Sequence, residues 1–140
     1  MRTDTPGNER FRGIVTAYLM GANAVIAGFD VTRADTLDEC DYWVERITRN
    51  QPQCVVVAVG NKIDRAEERV ISTADAMRHF STLPAPVRYF ETSAKTGAGV
   101  QELFEQVAKM ALEGSPVDCQ NENSNGEPQD EKKDGKCIIC

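Results

Sequence analysis

The chain has 140 residues, 41% of them hydrophobic and 27% charged, with a net charge of −6. That length holds one domain and a tail, and that composition is an ordinary globular one. No apolar run approaches the ~20 residues that span a bilayer, the acidic balance argues against a nucleic-acid partner, and the polar start over residues 1–12 is not a signal peptide.

Cysteine usage agrees with a cytoplasmic setting. Cys40, Cys54, Cys119, Cys137 and Cys140 make an odd count without a secretory signal, which reads as reduced thiols. Cys137 and Cys140 have the spacing of half a zinc site. A second cysteine pair is absent and His79 is the one histidine, so four ligands are not assembled.

In chain order, a short irregular helix is expected between Phe11 and Leu19. The apolar run 24–29, ending at Asp30, reads as a strand. Thr36 and Glu39 have the spacing of a capping box, opening a helix with Leu37, Cys40, Val44 and Ile47 on its inner face. The run 54–59 is a second strand. Ser72 is placed to cap a helix with Ala74, Met77 and Phe80 inward, ended by Pro84. Residues 87–92 form a third strand. A last helix runs from about Ala98 to Leu112, with Val100, Leu103, Phe104, Val107 and Met110 inward. Continuous β-branched runs suit strands buried on both faces of a parallel sheet. The β-α-β-α-β-α order predicts an α/β fold, with residues 1–113 as its domain and 114–140 as a disordered tail.

Ligands of such sheets bind at the carboxyl ends of the strands. Two loops stand there. The strand at 54–59 runs into Gly60-Asn61-Lys62-Ile63-Asp64, and the strand at 87–92 into Ser93-Ala94-Lys95-Thr96-Gly97. Their chemistry fits guanine, which presents a ring N1–H beside an exocyclic amine. One carboxylate, Asp64, accepts from both as a charge-assisted pair, whereas the unprotonated N1 of adenine would repel it. The Asn61 amide can reach the other edge of the base, the Lys62 and Lys95 stems can flank its faces, and the Ala94 N–H can meet O6. Alone, an Asn-Lys-x-Asp string is also a common turn sequence. Its placement after a buried strand, one βα unit before Ser-Ala-Lys, makes it specific.

Here the chain resembles the Ras-like small GTPases, and among them the Rab family. Residues 4–12 look like the family's Asp-x-x-Gly switch segment, 61–64 like its guanine motif and 91–95 like its last nucleotide loop; the likeness covers roughly 3–113. The resemblance implies the C-terminal part of a Ras-like P-loop NTPase three-layer fold, a mostly parallel sheet with helices on both faces. It implies GTP or GDP as ligand, bound by Gly7, Asn61, Lys62, Asp64, Ser93, Ala94 and Lys95. Asp4 would hold Mg2+ through a water, and position 8 would orient the attacking water. The implied activity is GTP hydrolysis as a switch in vesicle traffic, with Rab-type effectors and regulators as partners.

Departures from the pattern bear on that activity. The 140 residues contain no Gly-x-x-x-x-Gly-Lys-Ser/Thr phosphate loop and no switch I region, so base contacts alone must hold the nucleotide. Asn8 stands where most of the family has Gln, one methylene longer, and Pro6 stiffens the backbone beside Gly7. By analogy the chain starts where the family's third strand ends. The strand at 24–29 would then lose the phosphate-loop strand as neighbour and become an open apolar edge.

The tail ends Cys137-Ile138-Ile139-Cys140. A cysteine, two aliphatic residues and one more is the form a prenyltransferase takes, giving a lipid at Cys137, at Cys140 or at both. From residue 114 onward three lysines face six carboxylates, a net of −3, so no basic patch assists. Stable membrane binding then needs two lipids or a membrane partner. The protein is expected in the cytoplasm and, when lipidated, reversibly on the cytosolic face of an intracellular membrane. The alternative is a non-enzymatic interaction module, or a remnant, that retains the effector-facing surface at 11–20. Nucleotide affinity separates the two.

Overall fold

A computed structural model describes residues 2–4, 13, 17, 19–113 and 137–139 of the chain. The elements are β1 (Arg2–Asp4), β2 (Ala24–Asp30), α1 (Asp35–Asn50), β3 (Val55–Asn61), α2 (Thr73–Ser81), β4 (Val87–Glu91), α3 (Val100–Glu113) and β5 (Cys137–Ile139), with a 3-10 turn at Ala66–Glu68. All strand pairs are parallel, in the order β1-β5-β2-β3-β4. The expected α/β architecture is therefore present.

Alternation along β2 and β3 builds two apolar layers. Val25, Ala27 and Phe29, with Val56 and Ala58, face Cys40, Trp43, Val44 and Ile47 of α1 and Ala76 and Phe80 of α2. Ala24, Ile26, Val57 and Val59 face Leu103 and Val107 of α3. Each strand thus buries both faces, as an unbroken apolar run requires. Phe29, Phe80 and Tyr89 close the first layer, with ring centroids 5.7–6.0 Å apart, a spacing at which aromatic pairs add to simple burial.

Several local expectations are corrected. The capping box at 36–39 does not form, because the helix starts two residues earlier, behind Ala34, without a side-chain cap. The Thr36 hydroxyl turns back to β2: it accepts from Asp30 N–H at 3.0 Å and donates to Arg33 O at 2.7 Å. Ser72 does cap α2, accepting from Asp75 N–H at 3.1 Å. That helix is phased differently, however: Ala76 and Phe80 are buried, while Ala74 and Met77 are exposed. Four positions apart, Ala76 and Phe80 stack along one face. α3 begins at Val100 rather than Ala98, because Gly97 and Gly99 take positive φ in the preceding turn.

The sheet edge also differs. β2 is not open along its whole length, since Ala24, Val25 and Ile26 pair with Cys137, Ile138 and Ile139. The tail expected to be disordered over 114–140 thus contributes a strand at 137–139, on the side where the family resemblance puts the phosphate-loop strand; residues 114–136 lie outside the described set. So does most of the helix expected at 11–19. Among the described residues no helix is long and apolar enough to cross a membrane.

Candidate functional site at the ends of β2, β3 and β4

The parallel register brings Asp30 opposite Asn61 and Gly60 opposite Glu91, so three strand ends open on one edge. The two loops singled out from sequence meet there. Together they line a cleft of about 770 Å3 whose walls include Asn61, Lys62, Asp64, Arg65, Ala94 and Lys95. That is the size range of small-ligand sites.

Asn61 ties the loops together. Its Oδ1 accepts from Lys62 N–H at 2.8 Å and from Ala94 N–H at 3.1 Å. The Ala94 N–H assigned to guanine O6 is engaged here with Asn61, so meeting O6 requires it to be shared. Ile63 N–H donates to Thr92 O at 3.3 Å and Thr92 N–H to Gly60 O at 2.9 Å, a second pair of ties between the same loops.

Asp64 is held by Ser93. The Ser93 hydroxyl donates to Asp64 Oδ1 at 2.5 Å. Ser93 is itself buried and fixed: its Oγ accepts from Thr96 N–H at 3.2 Å, its N–H donates to Ala98 O at 2.9 Å, and its carbonyl accepts from Gly97 N–H at 2.8 Å. The Ser93 hydrogen bond, with smaller help from Lys95 and Arg65, holds the Asp64 carboxyl below the usual range. An exposed, ionised carboxylate in a fixed orientation is what a pair of ring and amine donors needs.

Lys62 is placed by an unusual backbone. Its φ of 69° is the left-handed region, unique to it among the described non-glycine residues and costly for a side chain with a Cβ. The twist sends its ammonium to Asp30, with Nζ 2.6 Å from Oδ2. Burial raises the Asp30 carboxyl, but hydrogen bonds from Lys62 and Thr32 outweigh it and hold the group at about 2. Neither Asp30 nor Thr36 is a site residue in the sequence reading, which gives Thr36 only a helix-capping role. The signal for Asp30 was present, since it ends an apolar strand on the same sheet edge as Asn61. Lys95 is exposed beside the cleft.

The other proposed contacts fall on positions whose side chains lie outside the described residues. Asp4 ends β1 and only its backbone is described; Gly7, Asn8 and Cys140 lie outside the described residues, and Cys137 is described as part of β5. Among the described residues no group of three or more His, Cys, Asp or Glu side chains is placed to hold a metal. Among the described residues, none of the groups lining the cleft forms a magnesium and phosphate grip.

Residues 2–113 match the model of the Ras family. The chain is 39% identical over 108 residues to GTP-binding protein ypt5 of Schizosaccharomyces pombe, covering 76% of this chain and 50% of that protein. It is 36% identical to Ras-related protein Rab-5A of Dictyostelium discoideum, over 76% of this chain and 52% of the relative. It is 37% identical to Ras-related protein RABC1 of Arabidopsis thaliana, over 79% and 52%. The chain therefore spans about half the length of the curated relatives it matches. With the model matched over most of its length, and with Rab and Ypt proteins as relatives, the chain belongs to the Ras family of small GTPases, on its Rab-like side.

Proposed function

We propose that this chain selects guanine nucleotides through Asp64, Asn61, Lys62, Ser93, Ala94 and Lys95, as part of a Rab-type switch in vesicle traffic. The observation that carries the proposal is the Ser93-held carboxylate of Asp64, which lines the same cleft as Asn61. Asp64 accepts from the ring N1–H and the exocyclic amine. Asn61 Nδ2 reaches the opposite edge, and the Lys95 stem covers a face. Guanine is preferred over adenine because adenine offers Asp64 a lone pair where guanine offers a proton.

The phosphates and Mg2+ belong to the remaining proposed positions, Asp4 for the metal through a water and Gly7 for the γ-phosphate, with Asn8 orienting water. Mg2+, where bound, would neutralise phosphate charge. The 140 residues contain no phosphate-loop sequence, so they bind mainly through the base and hydrolyse GTP poorly. Rab-type effectors and regulators meet the surface at 11–20. A prenyltransferase modifies the C-terminal cysteines, which brings the protein from the cytoplasm to a membrane.

Titration calorimetry with GDP, and with ADP as control, tests the proposal. Saturable GDP binding at least about tenfold tighter than ADP is expected, the worth of one charge-assisted hydrogen bond. Equal affinities, or no binding of GDP, would refute it.

A further inference from the structure

The two edges of β2 are distinguished by two hydrogen bonds. Val55 N–H donates to Asn23 O at 2.9 Å, and Val31 N–H donates to Asn61 O at 3.1 Å. Alternation in a parallel ladder then turns the N–H groups of Val25, Ala27 and Phe29 toward β3. Those of Ala24, Ile26, Gly28 and Asp30 point to the opposite edge. At its far end that edge is closed by Thr36, whose hydroxyl accepts from Asp30 N–H. At its near end Ala24 and Ile26 stand opposite Cys137 and Ile139.

β5 is therefore an interior strand. It pairs with Arg2–Asp4 on one side and with residues 24–26 on the other. Its backbone is engaged on both edges, so a protein that must take the same segment as an extended peptide has to displace it. The neighbouring β2, about 4.8 Å away, is covered by α1 on one face and by α3 on the other. A long lipid attached to a strand in this slot would stand beside a strand whose two faces are both covered.

We propose that Cys137–Ile139 is a removable strand of this chain's own sheet, and that docking in the slot between β1 and β2 and lipid attachment at Cys137 exclude one another. The second half rests on the lipid-acceptor assignment made under the proposed function; the first stands on the pairings alone. In the released tail the Cys137 thiol, losing its proton to solvent, displaces diphosphate from an isoprenoid diphosphate. A sulfur–carbon bond forms as the carbon–oxygen bond breaks. The docked tail then shields the sheet edge, and the lipid-bearing tail leaves it open.

Residue-resolved amide exchange tests both halves. In the intact chain the Ile138 and Ile139 amides should exchange at least about tenfold more slowly than in a synthetic peptide of residues 133–140. Deleting residues 137–140 should accelerate Ile26 by a similar factor and leave Ala27, which faces β3, unchanged. Peptide-like rates at Ile138 and Ile139, or an Ile26 rate indifferent to the deletion, overturn the docking. Chain recovered from cells is then separated by mass into lipid-bearing and lipid-free forms. Fast Ile26 exchange is expected only in the first. Slow exchange in the lipid-bearing form overturns the exclusion. Absence of any lipid-bearing form overturns it together with the lipid assignment, and leaves the docked strand to stand on the lipid-free exchange rates.

Discussion

The Ser93 hydroxyl donates to Asp64 Oδ1 at 2.5 Å, from a buried side chain to an exposed carboxylate. The two residues lie on different loops, 29 positions apart, and neither loop alone would orient the carboxylate. Ser93 is pinned by the turn that Gly97 and Gly99 allow, and it transfers that rigidity to Asp64. The base selection proposed for Asp64 thus depends on a residue that need not touch the base.

Ser93→Ala tests that dependence. The variant keeps the Asp64 charge but frees its rotation and raises its pKa toward the ordinary range. Guanine nucleotide affinity should fall about tenfold by calorimetry, equivalent to ~1.4 kcal/mol. Folding stability should fall by about 1 kcal/mol in urea titration for the buried hydrogen bonds lost. Unchanged affinity would remove Ser93 from the site.

The Asp30–Lys62 pair predicts an acid limb. Asp30 is held at about 2 against an ordinary 3.8. A depressed carboxyl pKa contributes stability that is complete above the ordinary value and is lost as pH falls toward the depressed one. The thermal midpoint should therefore decline between about pH 4 and pH 2, and Asp30→Asn should flatten that decline while lowering the midpoint at pH 7. Superimposable acid limbs in the two proteins would contradict the assignment.

Gly60 has no room for a side chain. A Cβ there would lie 2.4 Å from Tyr89 Oη and 2.9 Å from Val31 Cγ1, and the Tyr89 hydroxyl is held by its 2.8 Å bond to Glu91. Gly60→Ala should cost about 1–3 kcal/mol, as overpacked sites do. The urea midpoint should fall without a change in slope.

Arg69 closes the outer side of the same strand ends. It donates to both carboxylate oxygens of Glu91 and to Ile71 O at 2.7 Å, with both side chains about one-fifth exposed. Arg69→Ala leaves Glu91 half-buried without its cation and should destabilise by about 1–3 kcal/mol, less than a fully buried pair would. Adding Glu91→Gln should restore part of the loss in thermal unfolding.

The two loops of the candidate site were legible because their chemistry is contiguous. Residues 60–64 and 93–97 each follow an apolar run directly, and sheet geometry brings the two together. Partners far apart in sequence were not legible. The Thr36 hydroxyl matched a local capping pattern, but Asp30 N–H at the end of β2 claims it. In α2, Ala74 and Met77 are apolar like the buried Ala76 and Phe80, so nine residues did not define the inner face. β5 is only three residues long, and its place between β1 and β2 comes from non-local pairing that local patterning does not encode.

The most direct measurement compares GDP with inosine diphosphate, which lacks only the exocyclic amine. If Asp64 accepts from that amine, inosine diphosphate should bind at least about tenfold more weakly, since a hydrogen bond to a charged group is worth ~1.5–3 kcal/mol. In Asp64→Ala the two ligands should bind alike. Equal affinity of the two in the unmodified chain would contradict guanine selection by Asp64.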